Sequence, residues 1–158
     1  MYPRLSAKED QASRGEVNKQ KMRTLVESGE KPGLIAFEDD TPIGWISFGP
    51  REIFPRLNGS KILAPIDDQP VWSIVCLFIA KDFRRQGVSV ELLKAAGVYA
   101  RGQRASILEG YPTDPAGKKQ PDAFVWTGIS SAYLRAGFIE VARRSPTRPI
   151  MHLQLETL

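Results

Sequence analysis

Apolar residues run almost without a break from 71 to 80 (VWSIVCLFIA), a stretch rich in Val and Ile and too short to span a bilayer. Such a run predicts a central strand covered on both faces. Residues 81–87 follow as a polar turn whose single glycine is Gly87. The period then lengthens. Ser89, Leu92, Leu93, Ala96, Tyr99 and Ala100 share one helical face, and Glu91, Lys94 and Arg101 fall off it. Residues 105–109 read as a short strand, so 71–109 predicts a parallel strand pair joined by a right-handed crossover helix.

The flanks carry shorter patterns. Residues 17–28, with Met22, Leu25 and Val26 at helical spacing, predict a helix ended by Gly29. Residues 33–38 and 42–48 are apolar-rich strands turning at Asp39, Asp40 and Thr41, and Gly44 marks a bulge or a close backbone contact. Residues 51–70 hold Pro55, Pro65 and Pro70 with no sustained period. A loop this long reads either as a surface insertion or as a lid or substrate-shaping segment led by Phe54. A second long loop covers 111–124. A helix over 129–136, stopped by Gly137, then precedes two strands, 138–143 and 150–155, with a turn at 144–148.

The junction after the long strand carries the candidate chemistry. A helix N-terminus leaves backbone N–H groups unpaired and bears partial positive charge. Gly87 has no Cβ to keep an anion away, and Arg84 and Arg85 add charge suited to phosphate. Read from the residues alone, this suits a phosphorylated ligand and equally an ordinary strand-to-helix turn with solvated arginines.

Composition narrows the classes. One domain spanning 1–158 is expected, with 1–15 loosely attached, and no internal repeat or domain boundary is seen. A single cysteine, Cys76, excludes an internal disulfide and a cysteine-rich zinc site; its place in the apolar run predicts a buried, inert thiol. One histidine, His152, argues against a His-rich metal centre, and no metal is expected. Without an apolar leader or a membrane span, the expected compartment is the cytoplasm. A net charge of +4 permits an anionic partner, but basic residues are dispersed and not interleaved with aromatics, which argues against nucleic acid.

Arg84-Arg85-Gln86-Gly87-Val88-Ser89 resembles the (Gln/Arg)-x-x-Gly-x-(Gly/Ala) signature of the GNAT acetyltransferases, which bind acetyl-CoA; Ser89 departs from its last position. Tyr133, four residues before Gly137, resembles the family's Tyr-x-x-x-Gly-Phe signature. The resemblance covers 33–155. It implies an α/β (α+β) fold: a mixed, mostly antiparallel central sheet with one parallel strand pair around a β-α-β unit, and helices on both faces. The family places a first strand and two helices before its second strand. Only about thirty residues precede 33 here, so the first strand is expected to be missing or reduced to 1–5.

The resemblance also implies a chemistry. Phe78, Ile79 and Ala80 would pair with the pantetheine arm, with the Phe78 or Ile79 amide polarising the thioester carbonyl. Arg84, Arg85, Gln86, Gly87, Val88 and Ser89 would hold the pyrophosphate. Tyr133 is the expected acid for the departing thiolate. Glu109, by its position, is the expected base, with ordered water and a structural role for Glu109 as alternatives. Trp126 stands where relatives often have a CoA-contacting Asn, so Thr127 is the substitute contact. The function implied is transfer of an acetyl group from acetyl-CoA, as co-substrate, to a primary amine of a small molecule without a covalent enzyme intermediate. A protein or peptide acceptor and a non-catalytic acyl-CoA-binding module are the alternatives, and a homodimer is allowed.

Overall fold

The structure is a computed structural model that describes residues 2–6, 8–9, 15–115 and 125–155. Helix α1 (Glu16–Glu27) precedes a hairpin of β1 (Gly33–Glu38) and β2 (Thr41–Pro50). A short helix α2 (Pro55–Asn58) leads to β3 (Trp72–Ile79), α3 (Val88–Gly102) and β4 (Ile107–Gly110). Helix α4 (Ser130–Arg135), β5 (Ile139–Arg143) and β6 (Pro149–Gln154) close the chain. The strands form one six-stranded sheet in the order β1-β2-β3-β4-β6-β5. Only β3 and β4 pair in parallel, so the sheet is mixed and mostly antiparallel, as expected.

Strand alternation separates two cores. On one face Ile46, Phe48, Ile74, Leu77, Leu108 and Met151 pack under α3 and α4. Helix α3 presents Leu92, Leu93, Ala96 and Ala100 there, the face its period predicts; full burial of each leucine stabilises the fold by about 1.5–3 kcal/mol. The other face carries a smaller cluster of Phe54, Leu57, Val75, Tyr111 and Ile150. Helix α1 forms as expected, but none of its residues is buried. No strand precedes Gly33 among the described residues. Tyr2–Arg4 is instead a 3-10 turn, anchored where Arg4 lies 5.0 Å over the Phe54 ring and Leu5 is buried.

Two expectations change. Phe54 does not lead a lid: it is fully buried in the second core, because α2 folds it under the sheet. The rest of that loop is tied down through its carbonyls. Arg51 Nη2 donates to Leu63 O (2.6 Å), and Arg144 donates through Nη1 to Ala64 O and through Nη2 to Pro65 O. Cys76 is only half-buried. The β2–β3 register slips beside it, with Ser47 opposite Cys76 and Phe48 opposite Ile74. Val75 is therefore the extra residue of a bulge, which brings the consecutive Val75 and Cys76 side chains to the same cleft. Beyond Pro115 the expected loop 111–124 lies outside the described residues.

Candidate active site

β3 parts from β4 after three paired residues, Trp72, Ser73 and Ile74. Past that point the segment after the second loop meets the strand: Leu77 N–H donates to Trp126 O at 2.8 Å. At the strand's end Ala80 N–H turns the other way and donates to Ile43 O. Amides alternate along a strand, so the Ile79 N–H lies on the Leu77 side, facing away from β2. No acceptor for it occurs among the described residues on that side. Phe78 is about half exposed.

The turn that follows is shaped by its own side chains. Arg84 Nε donates back to Ile79 O at 3.0 Å, and Gln86 Nε2 donates to Asp82 O at 2.9 Å. Arg85 and Gly87 both have positive φ, 63° and 88°. Gly87 is the N-cap of α3, and no side chain caps that end. The amides of residues 85–89 donate to no carbonyl among the described residues, and an added Cβ at Gly87 would meet nothing within 4 Å. Uncapped donors around an open, left-handed turn are what an anion such as a pyrophosphate needs.

On the sheet face opposite α3, two clefts of about 520 and 500 Å³ share Pro3, Val75 and Trp126. The first runs along the pinned loop, past Leu57, Ile62 and Leu63, to Tyr111 and Arg148. The second lies under Trp45 and Ser47, with Met22 of α1 across from Cys76.

Deeper on that face is a buried polar row that the register dictates. Ser73 stands beside Glu109, and Glu109 opposite His152. Tyr111, two residues on, shares the face. Glu109 Oε1 accepts from Arg51 Nη1 (2.7 Å) and from the Tyr111 hydroxyl, and Oε2 lies 2.9 Å from His152 Nε2. Arg51 Nη1 also reaches the Tyr111 hydroxyl, which lies 2.9 Å from Ser73 Oγ. Burial alone would raise the Glu109 carboxyl; the His152 and Tyr111 hydrogen bonds and the Arg51 charge outweigh it and hold the carboxyl below its ordinary range.

Tyr133 lies on the α3 side. Its ring packs on Gly110, where an added Cβ would sit 2.2 Å from Tyr133 Cε1. Its hydroxyl donates to Thr127 O at 2.9 Å, and the side chain is fully buried. Burial pushes this phenol well above its ordinary value, so it keeps its proton. Thr127 is gripped a second time through Oγ1 by Arg148 Nη1 (2.6 Å).

The model of the acetyltransferase (GNAT) family matches residues 3–116. The chain belongs to this family. Its fold is that of many solved members. The Salmonella typhimurium protein yncA, solved with its cofactor acetyl-CoA, is 14% identical over 90% of this chain and 75% of its own, with a TM-score of 0.58. An N-acetyltransferase from Staphylococcus aureus Mu50 is 13% identical over 89% and 76%, TM-score 0.57. The Brucella melitensis ribosomal-protein-alanine N-acetyltransferase is 18% identical over 89% and 78%, TM-score 0.56. At these identities the likeness is one of fold. No curated protein matches the sequence.

The GNAT turn residues Arg84, Arg85, Gln86, Gly87, Val88 and Ser89 come together with Phe78, Ile79 and Ala80 at one end of β3. Within that group Arg84 and Gln86 brace the turn with their side chains, and its amides are the open donors. Tyr133 and Thr127 form a separate pair on the segment that meets Leu77. Glu109 stands apart from both, with each carboxylate oxygen engaged. Sequence reasoning missed Arg51, Tyr111, His152 and Arg148. Only the two-residue spacing of Glu109 and Tyr111 on a strand hinted at a shared face. Among the described residues no cluster of three or more His, Cys, Asp or Glu could hold a metal, and no helix is long and apolar enough to cross a membrane.

Proposed function

We propose that the chain is an N-acetyltransferase that moves the acetyl group of acetyl-CoA to the primary amine of a small molecule, directly and without a covalent enzyme intermediate. The observation that carries this reading is the continuity of β3: Val75 and Cys76 line the clefts, and the same strand ends at Ile79 and the uncapped N-terminus of α3. Acetyl-CoA supplies an activated acyl carbon as its thioester. The amides of residues 85–89 are the donors for its pyrophosphate, and the Ile79 N–H is the donor for the thioester carbonyl.

Attack forms the C–N bond, breaks the C–S bond and releases a thiolate that needs a proton. Tyr133 retains a phenolic proton, as an acid must, and delivering it requires the hydroxyl to leave Thr127 O. Glu109 is a poor base, because it is buried, both oxygens already accept and its carboxyl is held low. Water is therefore the proposed base. The cleft of about 520 Å³, walled on one side by the pinned loop, is of the size that suits a small acceptor.

Melting the protein with and without CoA tests the donor half. A ligand at 100 times its Kd adds about 2.7 kcal/mol of stability, and no shift at saturating CoA would remove the donor assignment. Thiol release from acetyl-CoA with pooled amines tests the acceptor half; release with peptides alone would replace the small amine by a polypeptide acceptor.

A further inference from the structure

The larger cleft is charged in one sense only. Arg56 and Arg148 line it, and among the described residues no Asp or Glu does. Arg148 closes the turn between β5 and β6 and is half-buried. One nitrogen holds it in place: Nη1 donates to Thr127 Oγ1 (2.6 Å) and to Tyr111 O (3.1 Å). Its Nε and Nη2 donate to nothing among the described residues, and neither is sealed from solvent.

Two other arginines near the sheet are balanced by carboxylates. Arg51 meets Glu109, and Arg143 meets Asp114 and Glu140. Arg148 has no such carboxylate among the described residues. Burial lowers its pKa, the signature of a cation short of counter-charge. A partly desolvated cation is costly unless something pairs with it. The open Nε–Nη2 edge is a planar fork that matches a carboxylate bidentately.

We propose that the acceptor is a small zwitterion, an apolar amino acid whose carboxylate pairs with the Nε–Nη2 edge of Arg148. This deepens the acetyltransferase reading above and rests on it. The open edge of Arg148 calls for one negative charge. Leu57, Ile62, Leu63 and Trp126 supply an apolar wall for the side chain. A polycationic amine would meet like charge. In the transfer the ammonium first gives one proton to water, the neutral nitrogen bonds to the acetyl carbon as the C–S bond breaks, its second proton passes to water, and the thiolate takes a proton from Tyr133 or from water. The carboxylate is untouched, so the same contact holds substrate and product.

The full chain is assayed by thiol release from acetyl-CoA with leucine, leucinamide, 3-methylbutylamine and phosphoethanolamine. We expect kcat/KM for leucine to exceed that for leucinamide and 3-methylbutylamine by about tenfold or more, the range of a charge-assisted hydrogen bond. Arg148→Gln should collapse the acid-to-amide ratio and Arg148→Lys should keep part of it. The ratio is internal to each protein, so general damage from loosening Thr127 cancels. Equal use of leucine and leucinamide, or an unchanged ratio in Arg148→Gln, overturns the proposal, and a preference for phosphoethanolamine overturns it in favour of a phosphate. Melting with N-acetylleucine against N-acetylleucinamide reads the contact without turnover: an acid-specific shift lost in Arg148→Gln supports it, and equal shifts or none overturn it. An acid-specific shift in a protein that ignores CoA would keep the Arg148 contact and remove acetyl transfer.

Discussion

The buried row around Glu109 and the turn at residues 84–89 are both built from charge and hydrogen bonds, and they solve opposite problems. In the row nearly every donor meets an acceptor: the Glu109 carboxylate takes Arg51, Tyr111 and His152, and only Arg51 Nε is sealed without a partner. In the turn the side chains of Arg84 and Gln86 are satisfied while the amides are left over. The first arrangement holds strands together. The second is incomplete until an anion arrives. A buried carboxylate held below its ordinary range invites a catalytic reading, yet both Glu109 oxygens are already engaged, and the turn with its open amides is the better candidate for binding.

Breaking the row should give the largest effect. Glu109→Gln removes the charge that compensates Arg51, and loss of one partner of a buried pair costs about 3–5 kcal/mol, measurable as a lower urea midpoint. The folded carboxyl titrates below its unfolded value. Its stabilisation is therefore complete above the ordinary Glu pKa of about 4.3 and is lost as pH falls through the lower folded value. The variant's urea midpoint should be flatter than wild type across that acidic window. Equal slopes would show that Glu109 is not the linked group.

Gly87→Glu sharpens the other side. It should abolish the CoA-induced melting shift, worth about 2.7 kcal/mol at 100 times Kd. The free protein should lose only about 1–2 kcal/mol to the left-handed backbone, because the side chain meets open space. A retained CoA shift would move the phosphate site elsewhere.

Tyr133→Phe falls between the two regions. Loss of the hydroxyl strips Thr127 O of its donor and should cost about 1–3 kcal/mol. An acid role adds a fall in kcat of about 100- to 10,000-fold with CoA affinity kept; near-normal kcat would leave water as the proton source. Cys76→Ala should do least, costing no more than about 1 kcal/mol at a half-buried position and leaving CoA affinity intact. Acetyl trapped on Cys76 in peptide mass spectra would contradict direct transfer.

The elements whose order follows from period were legible in the sequence. The pattern of residues 33–38 predicts a strand at the bounds β1 adopts, and Leu92, Leu93, Ala96 and Ala100 face the core as their spacing requires. What depends on distant partners was not. Arg51 is buried because Glu109, fifty-eight positions away, and the Leu63 carbonyl receive it. No local pattern distinguishes it from a solvated arginine. The bulge at Val75 was equally hidden, since an apolar run has no polar alternation to betray the slip that half-exposes Cys76. At the turn, Gly87 announced a positive φ, but Arg85, at 63°, adopts one without any such signal.

The Arg84 bond to Ile79 O has a further consequence for the donor. It straps the strand's last carbonyl to the turn, so the Ile79 N–H and the amides of residues 85–89 belong to one rigid body. Under the proposed reading, the span between a thioester contact and a pyrophosphate contact is then set by covalent and hydrogen-bonded geometry, and the site would act as a ruler. A donor whose arm is too short or too long can satisfy one end or the other. It forfeits the linkage between them, which makes the second contact effectively intramolecular once the first has formed.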